Sequence, residues 1–136
     1  MQTFVPLETF EDIAACLDYR RLGKQRVECL QILNALDTGK SSWASHPATL
    51  MWYGYEAALR AYQSVMIKEW IRRGYNNTMA IPRRGGRLKL PEWWGGPIHS
   101  THRAALLYKA PEHYSQFGWS ETPELNYHWP TKEIIT

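Results

Sequence analysis

Cysteine is scarce in this chain. Cys16 and Cys29 are the only two in 136 residues, with no Cys-x-x-Cys and no Cys/His pairing around them. A disulfide scaffold and a zinc ribbon are thereby excluded, and both thiols are expected to be reduced core residues. No run of about 18 apolar residues exists to cross a bilayer. The opening Met1-Gln2-Thr3-Phe4-Val5-Pro6 lacks the basic flank and apolar stretch of a secretion signal. A cytoplasmic protein with no membrane partner is expected. Also missing are the Gly-x-x-x-x-Gly-Lys loop, the dinucleotide fingerprint and the Gly-x-Ser-x-Gly elbow, which argues against NTPase, dehydrogenase and serine-hydrolase chemistry. No cofactor is expected. Repeats, low-complexity tracts and convincing strand pairs are absent as well.

What remains fits one compact globular domain over residues 1–136, with 44% hydrophobic and 21% charged residues and a net charge of +3. The charge is unevenly spread. Residues 1–18 hold four acids and no base, residues 60–109 ten bases and two acids, and residues 110–136 four acids and one base. A basic middle interleaved with Tyr and Trp suits an anionic, stackable partner such as nucleic acid. The alternative is a solvated surface around an aromatic core, and charge alone leaves both open.

Helical spacing organises the chain. Thr9 can cap a helix beginning near residue 10, with Glu11 and Asp12 favourably placed against its dipole. Apolar positions from Ile13 to Leu36 extend it to Asp37-Thr38-Gly39-Lys40, with Gly23 a candidate bend. Ser45-His46-Pro47 opens a second helix that closes at Arg72-Arg73-Gly74. Residues 76–97 form a long irregular segment rich in Asn, Gly and Pro. A short third helix covers about 100–109, capped by Ser100 or Thr101, before a last turn at Pro111-Glu112-His113-Tyr114. The tail from Glu121 to Thr136 is extended and held by Tyr127 and Trp129. The predicted class is all-α: two long packed helices, a short third helix, long loops and an extended tail.

The first helix carries the most chemistry. Asp18, Gln25 and Arg26 share a side with Leu22, Cys29 and Leu33, where polar groups are costly unless paired or facing a wet cavity. Arg20, Arg21, Lys24 and Glu28 fall on the other side, suited to phosphate contacts. The alternative is a helix laced with surface ion pairs around one buried Asp18–Arg26 pair. His46, His99 and His102 could join a metal site, but their spacing fits capping and hydrogen bonding better, and no metal is expected. His102 and Arg103 on the first turn of the third helix could hold a phosphate. Arg83, Arg84, Arg87 and Lys89 flank a Gly85-Gly86 pair that can lie along a nucleic-acid backbone. Of Trp93 and Trp94, at least one should pack the loop onto the domain.

Four landmarks recur in order: Tyr19-Arg20-x-Leu22 with Arg26-Val27, Thr38-Gly39-Lys40, Ser45-His46-Pro47-Ala48, and Ile71-Arg72-Arg73-Gly74-Tyr75-Asn76. Over residues 1–77 this pattern resembles the pyrimidine-dimer DNA glycosylase family of phage endonuclease V. Leu22 to Glu28, His46-Pro47 with Met51-Trp52, and His102-Arg103 through Tyr114 resemble a bacterial and phage branch of that family. The resemblance implies a monomeric all-helical repair protein acting on a damaged or modified pyrimidine in double-stranded DNA by attack at the sugar C1′. It also implies an N-terminal amine nucleophile assisted by a first-helix glutamate. Here that amine belongs to Met1, since Gln2 is too large for methionine removal. The two alignment registers put Arg21 or Gly23 at the glutamate position.

The expected catalytic set is therefore Met1, Asp18, Arg21, Lys24, Gln25, Glu28 and His46. Either the Met1 amine forms an imine, or Asp18 or Glu28 activates water while Gln25 and His46 read the flipped base. The expected nucleic-acid contacts are Arg20, Arg26, Arg83, Arg84, Arg87, His99, His102, Arg103 and Lys109. The alternatives are a non-catalytic nucleic-acid-binding module of the same fold and an enzyme acting on a nucleoside or nucleotide.

Overall fold

The computed structural model describes residues 2–39, 43–83 and 88–130. Those residues form six α-helices and one 3₁₀ turn, and no strand occurs among them. The helices are α1 (Phe10–Cys16), α2 (Tyr19–Thr38), α3 (Pro47–Leu50), α4 (Glu56–Arg72), α5 (Ile98–Lys109) and α6 (Pro111–Tyr114), with the 3₁₀ turn at Ser115–Phe117. The all-α reading is therefore correct, but the first two helices are each divided.

The first division falls at Leu17-Asp18 and not at Gly23, through which α2 runs unbroken. Thr9 caps α1 by accepting the Asp12 N–H, and Asp18 caps α2 by accepting that of Arg21. Distant residues satisfy the backbone groups that the break exposes. Arg73 donates to the carbonyls of Ala14 (2.9 Å) and Leu17 (2.8 Å), His113 Nε2 meets that of Cys16 at 2.8 Å, and the Tyr114 hydroxyl accepts the Asp18 N–H at 3.1 Å. Helix ends persist only where such orphans find partners.

Gly23 has a packing role instead. A Cβ there would lie 3.0 Å from Trp70 Cζ3, so its absence lets α4 bring the indole against α2. The second division lies between Leu50 and Glu56, where Gly54 takes φ +84° and its N–H donates to Glu56. His46 caps α3, its Nδ1 accepting the Ala48 N–H at 3.0 Å. α5 begins at Ile98, two residues earlier than expected, after a Pro97 cap position without a side-chain bond. Neither Ser100 nor Thr101 caps it: Ser100 donates to Glu121 and Thr101 to the Ile98 carbonyl.

Helices α2 and α4 pack against each other, with α1 against α4, around Ile13, Leu17, Leu22, Ile32, Trp52, Leu59, Tyr62 and Met66, all buried. Trp93 and Trp94 both pack inward, donating to the carbonyls of Met51 and Glu8. Cys16 and Cys29 are free and buried, and burial pushes the Cys16 thiol up to about 12. In the tail, Tyr127 packs on Phe4 and His102, and Trp129 on His46; residues 131–136 lie outside the described part. No helix among the described residues is long and apolar enough to cross a membrane.

The most unusual element is not a helix. Residues 2–6 are buried in succession yet belong to no regular secondary structure. Buried backbone groups need partners, and side chains from α2, α4 and α5 supply them. Gln25 donates to the Gln2 carbonyl (2.9 Å) and accepts the Phe4 N–H (3.0 Å). The Tyr62 hydroxyl lies 2.6 Å from the Phe4 carbonyl. His102 Nδ1 accepts the Val5 N–H, His99 Nδ1 lies 2.7 Å from the Val5 carbonyl, and Arg103 donates to that of Pro6. Trp52 Nε1 donates to the Thr3 hydroxyl at 2.9 Å.

Candidate active site

The threaded segment ends at an open cavity of about 940 Å³ between the first half of α2 and the junction of α5 with α6. Arg20, Arg21, Lys24 and Lys109 bring four cations to its wall, against the carboxylates of Asp18, Glu28 and Glu112. Tyr19, Phe4, Gln2, Gln25, Ala110 and His113 complete it. The two sides assigned to the first helix thus meet here. Gln25 lies buried at the seam, while Arg21, Lys24 and Glu28 stand beside it on the cavity wall.

Glu28 is the carboxylate closest to the threaded segment's start. Its Oε2 accepts the Gln2 N–H at 3.4 Å and the Gln25 Nε2–H at 3.1 Å. Burial raises its pKa, opposed by the Gln2 N–H, the nearby Lys24 charge and the Gln25 bond. A carboxyl lifted in this way holds and releases protons closer to neutral pH than an ordinary glutamate.

Asp18 has the opposite character. Burial would raise its pKa, but a hydrogen bond from Tyr114 and the charge and bonds of Arg21 hold it below the ordinary value. Arg21 Nη1 lies 3.2 Å from Asp18 Oδ1. Burial and the Asp18 contact push the Tyr114 hydroxyl up, so it remains a donor. Asp18 is therefore fixed as an anion that orients Arg21 and caps α2, and no Asp18–Arg26 pair forms.

Several expected contacts are placed elsewhere. Arg26 lies on another flank of α2, its guanidinium 4.3 Å from the Trp70 ring centroid and bonded to Asn77 at 2.7 Å. His99 and His102 are buried and bind Val5 instead of facing a phosphate. Arg103 stands past the first turn of α5, engaged by Glu121 and the Pro6 carbonyl. His46 caps α3 between Trp43 and Trp129 and does not border the cavity. Nor can Gln25 read a base, because both Nε2 hydrogens and Oε1 are committed within the protein. Arg83 is exposed and away from the cavity, whereas Met1, Arg84 and Arg87 lie outside the described residues. No metal-binding cluster occurs among the described residues.

Sequence reasoning missed Gln2, Phe4, Tyr19, Ala110, Glu112, His113 and Tyr114. Tyr114 is 96 positions from Asp18, and no local spacing reveals their bond. A family model described as pyrimidine dimer DNA glycosylase matches residues 1–82, over half of the chain. That span includes the α2 wall of the cavity and leaves out Lys109, Ala110, Glu112 and His113. No curated protein and no solved structure matches the chain.

Proposed function

The chain belongs to the pyrimidine dimer DNA glycosylase family, and from that premise we propose that it cleaves the N-glycosidic bond of a damaged pyrimidine in double-stranded DNA at the cavity between α2 and the α5–α6 junction. One observation carries the reading: Glu28, with its pKa raised by burial, hydrogen-bonds the Gln2 N–H inside a cation-lined cavity. The N-terminal segment is embedded in the core and holds the Gln2 N–H on that carboxylate; the proposed nucleophile is the amine of the preceding residue, Met1. Glu28 takes the role of the first-helix glutamate, a position to which neither sequence register assigned it.

The amine lone pair attacks C1′, and the C1′–N bond to the base breaks as the new C1′–N bond forms. The departing base takes a proton from water, and the attacking nitrogen loses one to Glu28, which enters as the carboxylate. Transfer of that proton to the ring oxygen as its bond to C1′ breaks leaves a protonated imine. Water then hydrolyses the imine to an abasic sugar, or β-elimination cleaves the strand. Arg20, Arg21, Lys24 and Lys109 neutralise flanking phosphates, with Asp18 and Tyr114 positioning Arg21. The protein works as a monomeric, single-domain cytoplasmic enzyme without cofactor.

The test is incubation with duplexes carrying a cyclobutane pyrimidine dimer, with and without borohydride. A trapped protein–DNA adduct is expected with wild-type protein, and Glu28→Gln should lower turnover by about 10²-fold or more. Base release without trapping overturns the amine mechanism and leaves Glu28-activated water; binding without either reaction overturns the enzyme reading.

A further inference from the structure

Polar side chains satisfy the named backbone groups of residues 2–6, but the Gln2 side chain itself is left out. The residue is 8% exposed, and neither its Nε2 nor its Oε1 has a hydrogen-bond partner among the described residues. A buried donor or acceptor left unpaired is destabilising, and an apolar side chain of similar size would avoid that loss. Such a group in a native fold calls for an explanation. The location supplies one, because Gln2 borders the cavity and its own N–H donates to Glu28. The other carboxamide on the cavity wall, Gln25, is fully committed to the threaded segment and Glu28.

We propose that the Gln2 carboxamide is a specificity-determining group that reads the edge of a nucleobase drawn into the cavity. This rests on the glycosylase reading of the same site. A carboxamide offers one donor and one acceptor side by side, which match an adjacent acceptor and donor on a base edge. The N3–H and carbonyl oxygen of a pyrimidine fit, as do the N7 and N6 amino group of adenine, so two hydrogen bonds can form at once. The base comes from one of two sources: the damaged pyrimidine or the base opposite it, extruded from the stack. In the free protein both carboxamide atoms are shut off from solvent and without a partner among the described residues, so the side chain turns from its buried position into the cavity for the base edge to complete it.

The experiment compares wild-type protein with Gln2→Leu, which keeps side-chain bulk and removes both hydrogen-bonding atoms; intact mass confirms the same N terminus in both. Thermal unfolding is measured alongside equilibrium binding to an undamaged duplex and to three modified duplexes: one with a pyrimidine dimer, one with an abasic site in place of the lesion, and one with a dimer opposite an abasic site. The expected result is a Tm unchanged or raised in Gln2→Leu, with about tenfold weaker binding of the dimer duplex. That loss should disappear on one of the two base-deficient duplexes. Disappearance when the lesion is removed identifies the damaged pyrimidine as the base read, and disappearance when the opposite base is removed identifies that base.

Equal weakening on all three duplexes overturns the proposal, as does a lower Tm, which would show the carboxamide to be structural. Wild-type protein with no preference for the dimer duplex over an undamaged one overturns the glycosylase reading and this inference with it. A wild-type preference that Gln2→Leu leaves intact overturns only the role of Gln2.

Discussion

His102 holds Val5 from 97 positions away, its Nδ1 accepting the Val5 N–H at 2.9 Å in the centre of the protein. The imidazole is neutral there, because burial, aided by electrostatic repulsion from the side chains of His99, His128 and Lys109, lowers its pKa from 6.5 to about 3. The folded value lies below the unfolded one, so between these limits the unfolded chain binds a proton that the folded chain does not. This contribution to stability is fully present above about pH 6.5 and is lost as pH falls towards 3, with a slope approaching 1.4 kcal/mol per pH unit. Glu28, raised by burial, contributes with the opposite sign. Comparing urea unfolding of wild type and His102→Gln between pH 7 and 4 isolates the histidine. The variant keeps an acceptor for Val5 and should show the flatter profile.

Gln25 acts as a side-chain substitute for a neighbouring strand. Gln25→Met preserves bulk but leaves the Phe4 N–H and the Gln2 carbonyl, both buried, without their partner. Two such losses should destabilise the protein by about 3 kcal/mol or more. Chemical denaturation measures this, and a change below about 0.5 kcal/mol, within the range of ordinary surface substitutions, would mean that other contacts hold the segment.

Gly23→Ala sets helix propensity against packing. Alanine favours a helix interior by about 1 kcal/mol over glycine, yet its Cβ would press on a Trp70 ring that also packs against Arg26 and Tyr75 and donates to Asn76. The substitution should be destabilising in wild type and stabilising in a Trp70→Leu background. A thermal double-mutant cycle reads that reversal of sign.

The cavity cations should act through phosphate charge. Lys24→Ala and Lys109→Ala are each expected to weaken binding of damaged and undamaged duplexes alike. The slope of log affinity against log salt should shrink by about 1 for each contact removed. Unchanged slopes in both variants would show that DNA does not cross this face.

The charge of the α2 wall was legible in the sequence because one stretch carries Asp18, Arg20, Arg21, Lys24, Gln25 and Glu28, although helical spacing put them on two sides that meet only at the cavity. The opposite wall was not. Lys109, Glu112 and His113 reach the cavity only because α5 and α6 fold back against α2. His99, His102 and Arg103 were misread because a polar residue on an apolar helix face has the same spacing whether it meets a phosphate or a buried peptide group.

By itself the sequence determined the helical class, most helix ends, the packing of at least one of Trp93 and Trp94 and a charged α2, since periodicity, capping and Gly/Pro placement are encoded within a few residues. Tertiary structure decided that residues 2–6 lie in the core and that Gln25, His99 and His102 serve them. It also left the Gln2 carboxamide without a partner among the described residues. These outcomes depend on hydrogen-bond partners up to 97 positions apart, and local pattern cannot specify which donor will meet which acceptor once the chain is compact.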